Sequence, residues 1–287
     1  MSSGYPNFTI KAKTFNELYP KLIRYVYENG MGSAPRGMKT RELVGLQFCL
    51  EDPTAAFCTI KSRKLNHRFA IIEAMEYASG LSDPTRLCSY NKNMKRFVNS
   101  DTGEFDGAYA PRIGAQINYI FELLKQDPDS RQAVININQP IDKHISLDIP
   151  CTISLQFLLR DKKLDLIATM RSNDLLWGTP YDVHGFCLIQ QMMAVWLGVG
   201  LGLYIHQAAS AHIYLDRFDQ LDIVCRHKDE LIDLKIPVFD VNHENASKQF
   251  RIFWDIEKSM RCNDKVDQIE YNKLSPSFQQ YIDLLRK

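Results

Sequence analysis

Ile153, Leu155, Phe157 and Leu159 alternate with Thr152, Ser154, Gln156 and Leu158, and after a polar turn at Arg160 to Lys163 a second run carries Leu164, Leu166, Ala168 and Met170. Period two on both sides of a short connection predicts a pair of strands. Further strands are predicted at Glu42 to Leu50 and Phe57 to Ile60, with strand-like pieces at Leu234 to Val238 and Phe250 to Ile256. Helical spacing marks Phe15 to Tyr27, which stops at Asn29-Gly30, and Arg68 to Ser79. It marks Arg112 to Lys125, closed by Asp127-Pro128, and Pro276 to Leu285. His184 to His206 reads as one long, nearly all-apolar helix, with Cys187 and His206 as packing residues. Pro84 to Tyr109 carries only turn formers and reads as loop.

Composition narrows the class. With 287 residues, 45% hydrophobic and 24% charged, the chain has ample material for a core. A formal charge of +1 argues against a nucleic-acid tract binder, so any phosphate affinity has to be local. Seven cysteines show no CxxC pair and no metal-ligand rhythm with the histidines, which fits free thiols in a reducing compartment. The first residues lack the apolar core of a signal peptide, and the most apolar run, Met192 to Ile205, is too short to span a bilayer. A cytoplasmic protein without membrane partners is expected.

Candidate chemistry gathers where the second strand ends. Arg171, Ser172, Asn173 and Asp174 leave the sheet edge together, followed by Gly178, Pro180, Tyr181 and Asp182, while Cys151 stands behind Pro150 at the start of the first strand. A thiol therefore faces an anion-binding cluster. Glu73 lies in the apolar stripe of the helix at 68–79, where a carboxylate is either a paired structural charge or a group kept for proton chemistry.

Pro150-Cys151, Arg171-Ser172-x-Asp174 and Gly178-x-Pro180-Tyr181, in that order and spacing, resemble the thymidylate synthase family of folate-dependent pyrimidine C5 transferases. The resemblance implies an α/β protein of α+β type, one catalytic domain over residues 1–287, with a large mixed sheet packed by long helices and a homodimer formed through the sheet. It implies 5,10-methylenetetrahydrofolate as cofactor and a pyrimidine nucleoside monophosphate as substrate. Residue by residue, Cys151 becomes the nucleophile for C6, Glu73 the proton-handling glutamate and Tyr109 the tyrosine near C5. Arg36, on the loop from Met31 to Lys39, becomes a phosphate ligand. Arg171 and Ser172 hold the phosphate end, Asp174 is a further substrate-binding residue of the same motif, and His212 and Tyr214 become the pair that bonds the sugar 3′-hydroxyl. Arg131 in DPDSRQ resembles the arginine that reaches the partner subunit's phosphate site, although the second arginine of that segment is Gln132.

Several positions depart from the synthases. Asp182 stands where the family has its uracil-reading Asn, Thr152 follows the cysteine where His is usual, and Ser210 takes a place that is often acidic. The three tryptophans, at 177, 196 and 254, come later than the family's, and the C-terminal end does not look like the tail that closes over folate. Asp182 and Thr152 resemble the deoxycytidylate hydroxymethylase branch, and with the later tryptophans and the different tail they imply water rather than hydride in the last step; Ser210 has no reading of its own.

Donor and acceptor counts say why Asp182 matters. An Asn amide suits uracil, with its O4 acceptor and N3–H donor, whereas cytosine presents an N4 donor and an N3 acceptor, which a protonated carboxyl can match. An ionised carboxylate instead favours the reacting state in which N3 has gained a proton. Without the family register, an aspartate that caps the following helix is an equally physical reading. The expected activity is 5-hydroxymethylation of dCMP. A dCMP methylase, a CMP hydroxymethylase, a dUMP enzyme and a non-catalytic nucleotide binder remain the competing readings.

Overall fold

The hairpin expected from the central alternation forms as β5 (Thr152–Arg160) and β6 (Lys163–Met170) in antiparallel register. Its turn holds Asp161 and Lys162 at φ 49° and 58°, the left-handed pair that matches the twist of a tight two-residue connection. The computed structural model describes residues 10–139, 148–226 and 230–286.

Among these residues, an eight-stranded mixed sheet grows outward from the hairpin. Its order is β1 (Ile10–Ala12), β3 (Thr40–Leu50), β8 (Gly200–Tyr214), β6, β5 and β4 (Val134–Asn136). The short β2 (Met31–Ser33) pairs with β3, and β7 (Asn173–Asp174) pairs with β8. β6 and β8 run parallel, as do β1 and β3; the hairpin and the β3–β8 pair are antiparallel. Helices α1 (Phe15–Asn29), α2 (His67–Ser79), α4 (Tyr109–Gln126) and α5 (Thr179–Leu197) supply most of the remaining core. The mixed sheet packed by long helices agrees with the expected fold class.

Local chemistry sets the helix ends. Thr14 caps α1 by accepting from Glu17 N, and Asn66 caps α2 by accepting from Phe69 N. α2 ends at Gly80, which holds φ 71° and lies against Gly114 so closely that a Cβ would sit 2.6 Å from the Gly114 Cα. The two glycines bring α2 and α4 together.

Four expectations are corrected. The apolar run at 184–206 is not one helix: α5 stops at Gly198, φ 67°, and β8 follows, placing His206 on a strand. β8 lies between β3 and β6, and Leu201, Leu203 and Ile205 on its less buried face are as apolar as Tyr204 and Ala208 on its buried one, so the run lacks polar alternation. Phe250 to Ile256 lies inside α7 (His243–Arg261), the helix after α6 (Phe218–Arg226), capped by Asn242; the alternating Phe250, Ile252, Trp254 and Ile256 also fit a helix, because Phe253 between them is buried too. Pro84 to Tyr109 contains α3 (Pro84–Tyr90), started by the Asp83 cap, and a 3-10 turn at Lys92–Phe97. The pieces at 57–60 and 234–238 form no named strand, and Ile60 makes only an isolated bridge to Leu231.

α7 is tied to α2 through one arginine. Arg86 contacts Glu76 at 2.9 Å and Glu257 at 3.5 Å and lies 3.8 Å from the Trp254 ring centre, all buried. No described helix is long and apolar enough to cross a membrane.

Candidate active site

Glu73, Tyr109, Cys151, Ser172, Asp174 and Asp182 line one cavity of about 230 Å³. They arrive from five places: α2, the start of α4, the segment before β5, the residues after β6, and the first turn of α5. A larger groove of about 880 Å³ runs along the outer side of α1, but none of the candidate residues lines it.

Backbone bonds anchor the thiol. Tyr109 Oη accepts from both Cys151 N and Thr152 N at 3.2 Å, so its own proton remains available for the cavity. Asp148 Oδ2 accepts from Gly107 N at 2.8 Å, where a Cβ would lie 2.5 Å from the Asp148 carbonyl oxygen; the loop before α4 and the segment leading to Cys151 can meet only through a glycine. Arg171 Nε donates to the Pro150 carbonyl and Nη2 to the Ile149 carbonyl, both at 2.9 Å, and Nη2 lies 3.7 Å from Cys151 Sγ. Burial pushes the thiol up, Arg171 pulls it back, and Asp182 adds to the rise.

The turn after β6 is pinned from behind. Tyr19 Oη donates to the Leu175 carbonyl at 2.6 Å, and the buried Arg63 donates to the Leu176 carbonyl and to Tyr19 Oη. Asp174 Oδ1 accepts from Leu176 N at 2.7 Å. These bonds fix the backbone from which Asn173 and Asp182 face each other.

Two acids share the interior. Glu73 keeps part of its surface open to the cavity, yet protein surrounds its carboxyl at longer range; burial and Asp182 push it up to about 8, against a hydrogen bond from Tyr77. Asp182 is pushed up to about 7 by burial and Asp174, against the amide of Asn173. A site of this kind holds and releases protons near neutral pH.

The sugar and phosphate candidates Arg36, His212 and Tyr214 do not line the cavity. His212 and Tyr214 sit near the end of β8, their rings edge to face at 5.2 Å, and His212 pairs in register with Asp174 of β7. Arg36 lies exposed with φ 54° in the turn before β3, close in chain to Thr40, which pairs with Tyr214. Arg131 is exposed on the loop before β4 and does not line the cavity.

Sequence reasoning missed three residues. Ser210 donates to the Glu42 carboxylate, and Glu42 pairs in register with His212 across β3 and β8. Hydrogen bonds from Ser210 and Ser33 hold Glu42 below the ordinary carboxylate range. A carboxylate from the neighbouring strand thus bonds the residue at position 210, a contact that only the β3–β8 register could have revealed. Asn173 and Thr179 occupy the unassigned positions of the two motifs, yet Thr179 Oγ1 donates to Asn173 Oδ1 at 2.6 Å and Asn173 Nδ2 to Asp182 Oδ2 at 3.3 Å.

Comparison with known proteins agrees with this arrangement. A deoxyuridylate hydroxymethyltransferase from Bacillus phage SP01 is 35% identical over 231 residues, which is 74% of this chain. The chain spans 60% of the length of that curated relative. The thymidylate synthase model matches residues 17–258. With the motifs, the mixed sheet and the cysteine-centred cavity in agreement, the chain belongs to the thymidylate synthase family.

Proposed function

We propose that the chain is a single-domain, folate-dependent C5 transferase that hydroxymethylates dCMP through a covalent bond from Cys151 to pyrimidine C6. The observation that carries the reading is the convergence of Cys151, Glu73, Tyr109 and Asp182 on one cavity, with a carboxyl where the family's uracil reader is an amide.

Pyrimidine C5 is a poor nucleophile until a thiolate adds to C6 and makes C4–C5 an enamine. Arg171 stabilises the Cys151 thiolate, and with Ser172 it forms the phosphate end of the site, where a guanidinium that never loses its charge suits an oxyanion. Arg36 is the further cation for that phosphate, and Glu42, His212 and Tyr214 form the sugar edge. Asp182 reads N3 and the 4-amino group, favouring the reacting state in which N3 carries a proton. Glu73 takes the C5 proton and activates the water that completes the hydroxymethyl group; with its carboxyl at about 8, it is poised for both transfers.

The cavity also suits the donor. Leu87, Met94, Phe97 and Phe105 line it beside the acids, giving an apolar wall for a flat heterocycle. When bound there, 5,10-methylenetetrahydrofolate supplies the one-carbon unit that C5 captures. The phage relative's name supports hydroxymethylation. A homodimer through the sheet fits the exposed apolar residues Val44 and Ile153 on β3 and β5, with the exposed Arg131 as the cation that serves the partner's phosphate.

The same relative's deoxyuridylate specificity gives a second reading, the same chemistry on dUMP. Asp182→Asn separates the two. Under the dCMP reading the substitution moves kcat/KM from dCMP towards dUMP by at least about a hundredfold in ratio, the scale of mismatching a buried hydrogen-bonding edge. An unchanged ratio overturns it.

A further inference from the structure

Asn173 lies behind Asp182, buried, with every polar atom committed. Thr179 Oγ1 donates to its Oδ1 at 2.6 Å, which is shorter than the 3.0 Å from the same hydroxyl to the Asp174 carbonyl. On the other side Nδ2 lies 3.3 Å from both Met170 Sδ and Asp182 Oδ2. The reversed amide would set its carbonyl oxygen against the Met170 sulfur and against ionised Asp182 Oδ2, both of them acceptors, whereas the Thr179 hydroxyl can donate or accept and serves either orientation. The amide is therefore locked with its donor towards Asp182.

We propose that Asn173, its N–H directed between Met170 Sδ and Asp182 Oδ2, is the positioning residue that gives the Asp182 carboxyl a fixed polarity and thereby rejects uracil. A lone carboxyl is symmetric: either oxygen can carry the proton, so it could match cytosine or uracil by swapping roles. An amide N–H aimed at Oδ2 breaks that symmetry, because a proton on Oδ2 would face another proton. Oδ2 becomes the permanent acceptor and Oδ1 the oxygen that carries or releases the proton. Oδ2 is packed against Gly178 as well, 3.0 Å from where a Cβ on that residue would stand.

The inference rests on the dCMP reading, in which Oδ2 meets the 4-amino group and Oδ1 meets N3. Cytosine then finds an acceptor for N4–H and a donor for N3. Uracil finds an acceptor facing O4 and a donor facing N3–H, and the swap that would cure both mismatches is the one Asn173 forbids. The other ionisable groups around Asp182 are Asp174 on β7, Glu73 and Tyr77 on α2, Tyr109 on α4, Cys151 before β5, and Tyr204 on β8. None of them holds an N–H donor towards Asp182, so they raise or share its proton without assigning it to one oxygen.

Two variants of the full-length chain test the proposal: Asn173→Leu, which removes the donor at similar volume, and Thr179→Val, which removes the hydroxyl bonded to the far side of the amide. Melting temperature and near-ultraviolet circular dichroism establish that each is folded. The readouts are the dCMP to dUMP ratio of kcat/KM, the same ratio of Kd in a Cys151→Ala background, and the pH profile of dCMP turnover. The ratio is expected to fall about tenfold for Asn173→Leu and about threefold for Thr179→Val, the scale of one hydrogen bond to a charged group. Loss of the donor also disfavours ionised Asp182, so its limb of the pH profile moves upward in Asn173→Leu. A packing role would lower stability without moving either the ratio or the limb. Folded variants that keep the wild-type ratio and profile overturn the proposal while leaving the dCMP reading intact. A wild type that prefers dUMP instead overturns the dCMP reading and, with it, the assignment of Oδ2 to the 4-amino group.

Discussion

Nη2 of Arg171 lies 3.7 Å from Cys151 Sγ, on a side chain that also donates to the two carbonyls just before the cysteine. The cation is held by the same backbone that carries the thiol, so the pair moves as a unit. Burial raises the thiol and Arg171 is the leading opposing influence. In Arg171→Gln, alkylation of Cys151 by iodoacetamide at neutral pH, followed by peptide mass spectrometry, is expected to slow about tenfold, as a thiol raised by one pH unit would. An unchanged rate would mean that the guanidinium serves the backbone alone.

Glu73 and Asp182 are both raised, to about 8 and about 7. The folded chain therefore keeps protons that the unfolded chain releases above the ordinary carboxylate range. Stability from this source is greatest at low pH and is lost as pH climbs from about 4 towards 8. Glu73→Gln stays neutral throughout, so its melting temperature relative to wild type is expected to rise by about 2 to 6 °C between pH 5 and pH 8.5. Its turnover is expected to fall by about two to three orders of magnitude. A constant melting difference across that range would place the Glu73 carboxyl at an ordinary value.

The Glu42 carboxylate accepts from Ser210 of the H-x-Y strand. Under the proposed sugar-edge role, Glu42→Gln is expected to raise KM for the nucleotide about three- to tenfold with little change in kcat, because uniform binding acts in ground state and transition state alike. A fall in kcat at constant KM would instead assign Glu42 to the chemical step.

Arg131 is exposed and stands off its own cavity. If it completes a partner's phosphate site, Arg131→Glu and Cys151→Ala are each inactive alone, and mixed dimers regain activity at the one site that carries neither change. Absence of recovery after subunit exchange, confirmed by native mass spectrometry, would remove Arg131 from the site.

Much of this site was legible because its chemistry is local in sequence. Cys151, the Arg171 to Asp174 run and Asp182 lie within a hairpin and its exit turn, and period-two alternation identifies that hairpin. Glu73 could be singled out because a carboxylate in an apolar helical stripe is costly unless used. Contacts made across the sheet were not legible: Glu42 reaches position 210 through the β3–β8 register, and Thr179 reaches Asn173 through a turn pinned by Tyr19 and Arg63. The helix-to-strand change at Gly198 escaped for a different reason. A strand whose less buried face is also apolar has much the same apolar density as the helix before it.

Release of tritium from dCMP labelled at C5 tests the central claim most directly, since loss of that hydrogen requires both addition at C6 and activation at C5. The expected result is folate-dependent release from dCMP, far slower release from labelled dUMP, and none from either in Cys151→Ala. Release from dUMP at an equal or greater rate would contradict the substrate assignment, and release that survives Cys151→Ala would contradict the covalent mechanism.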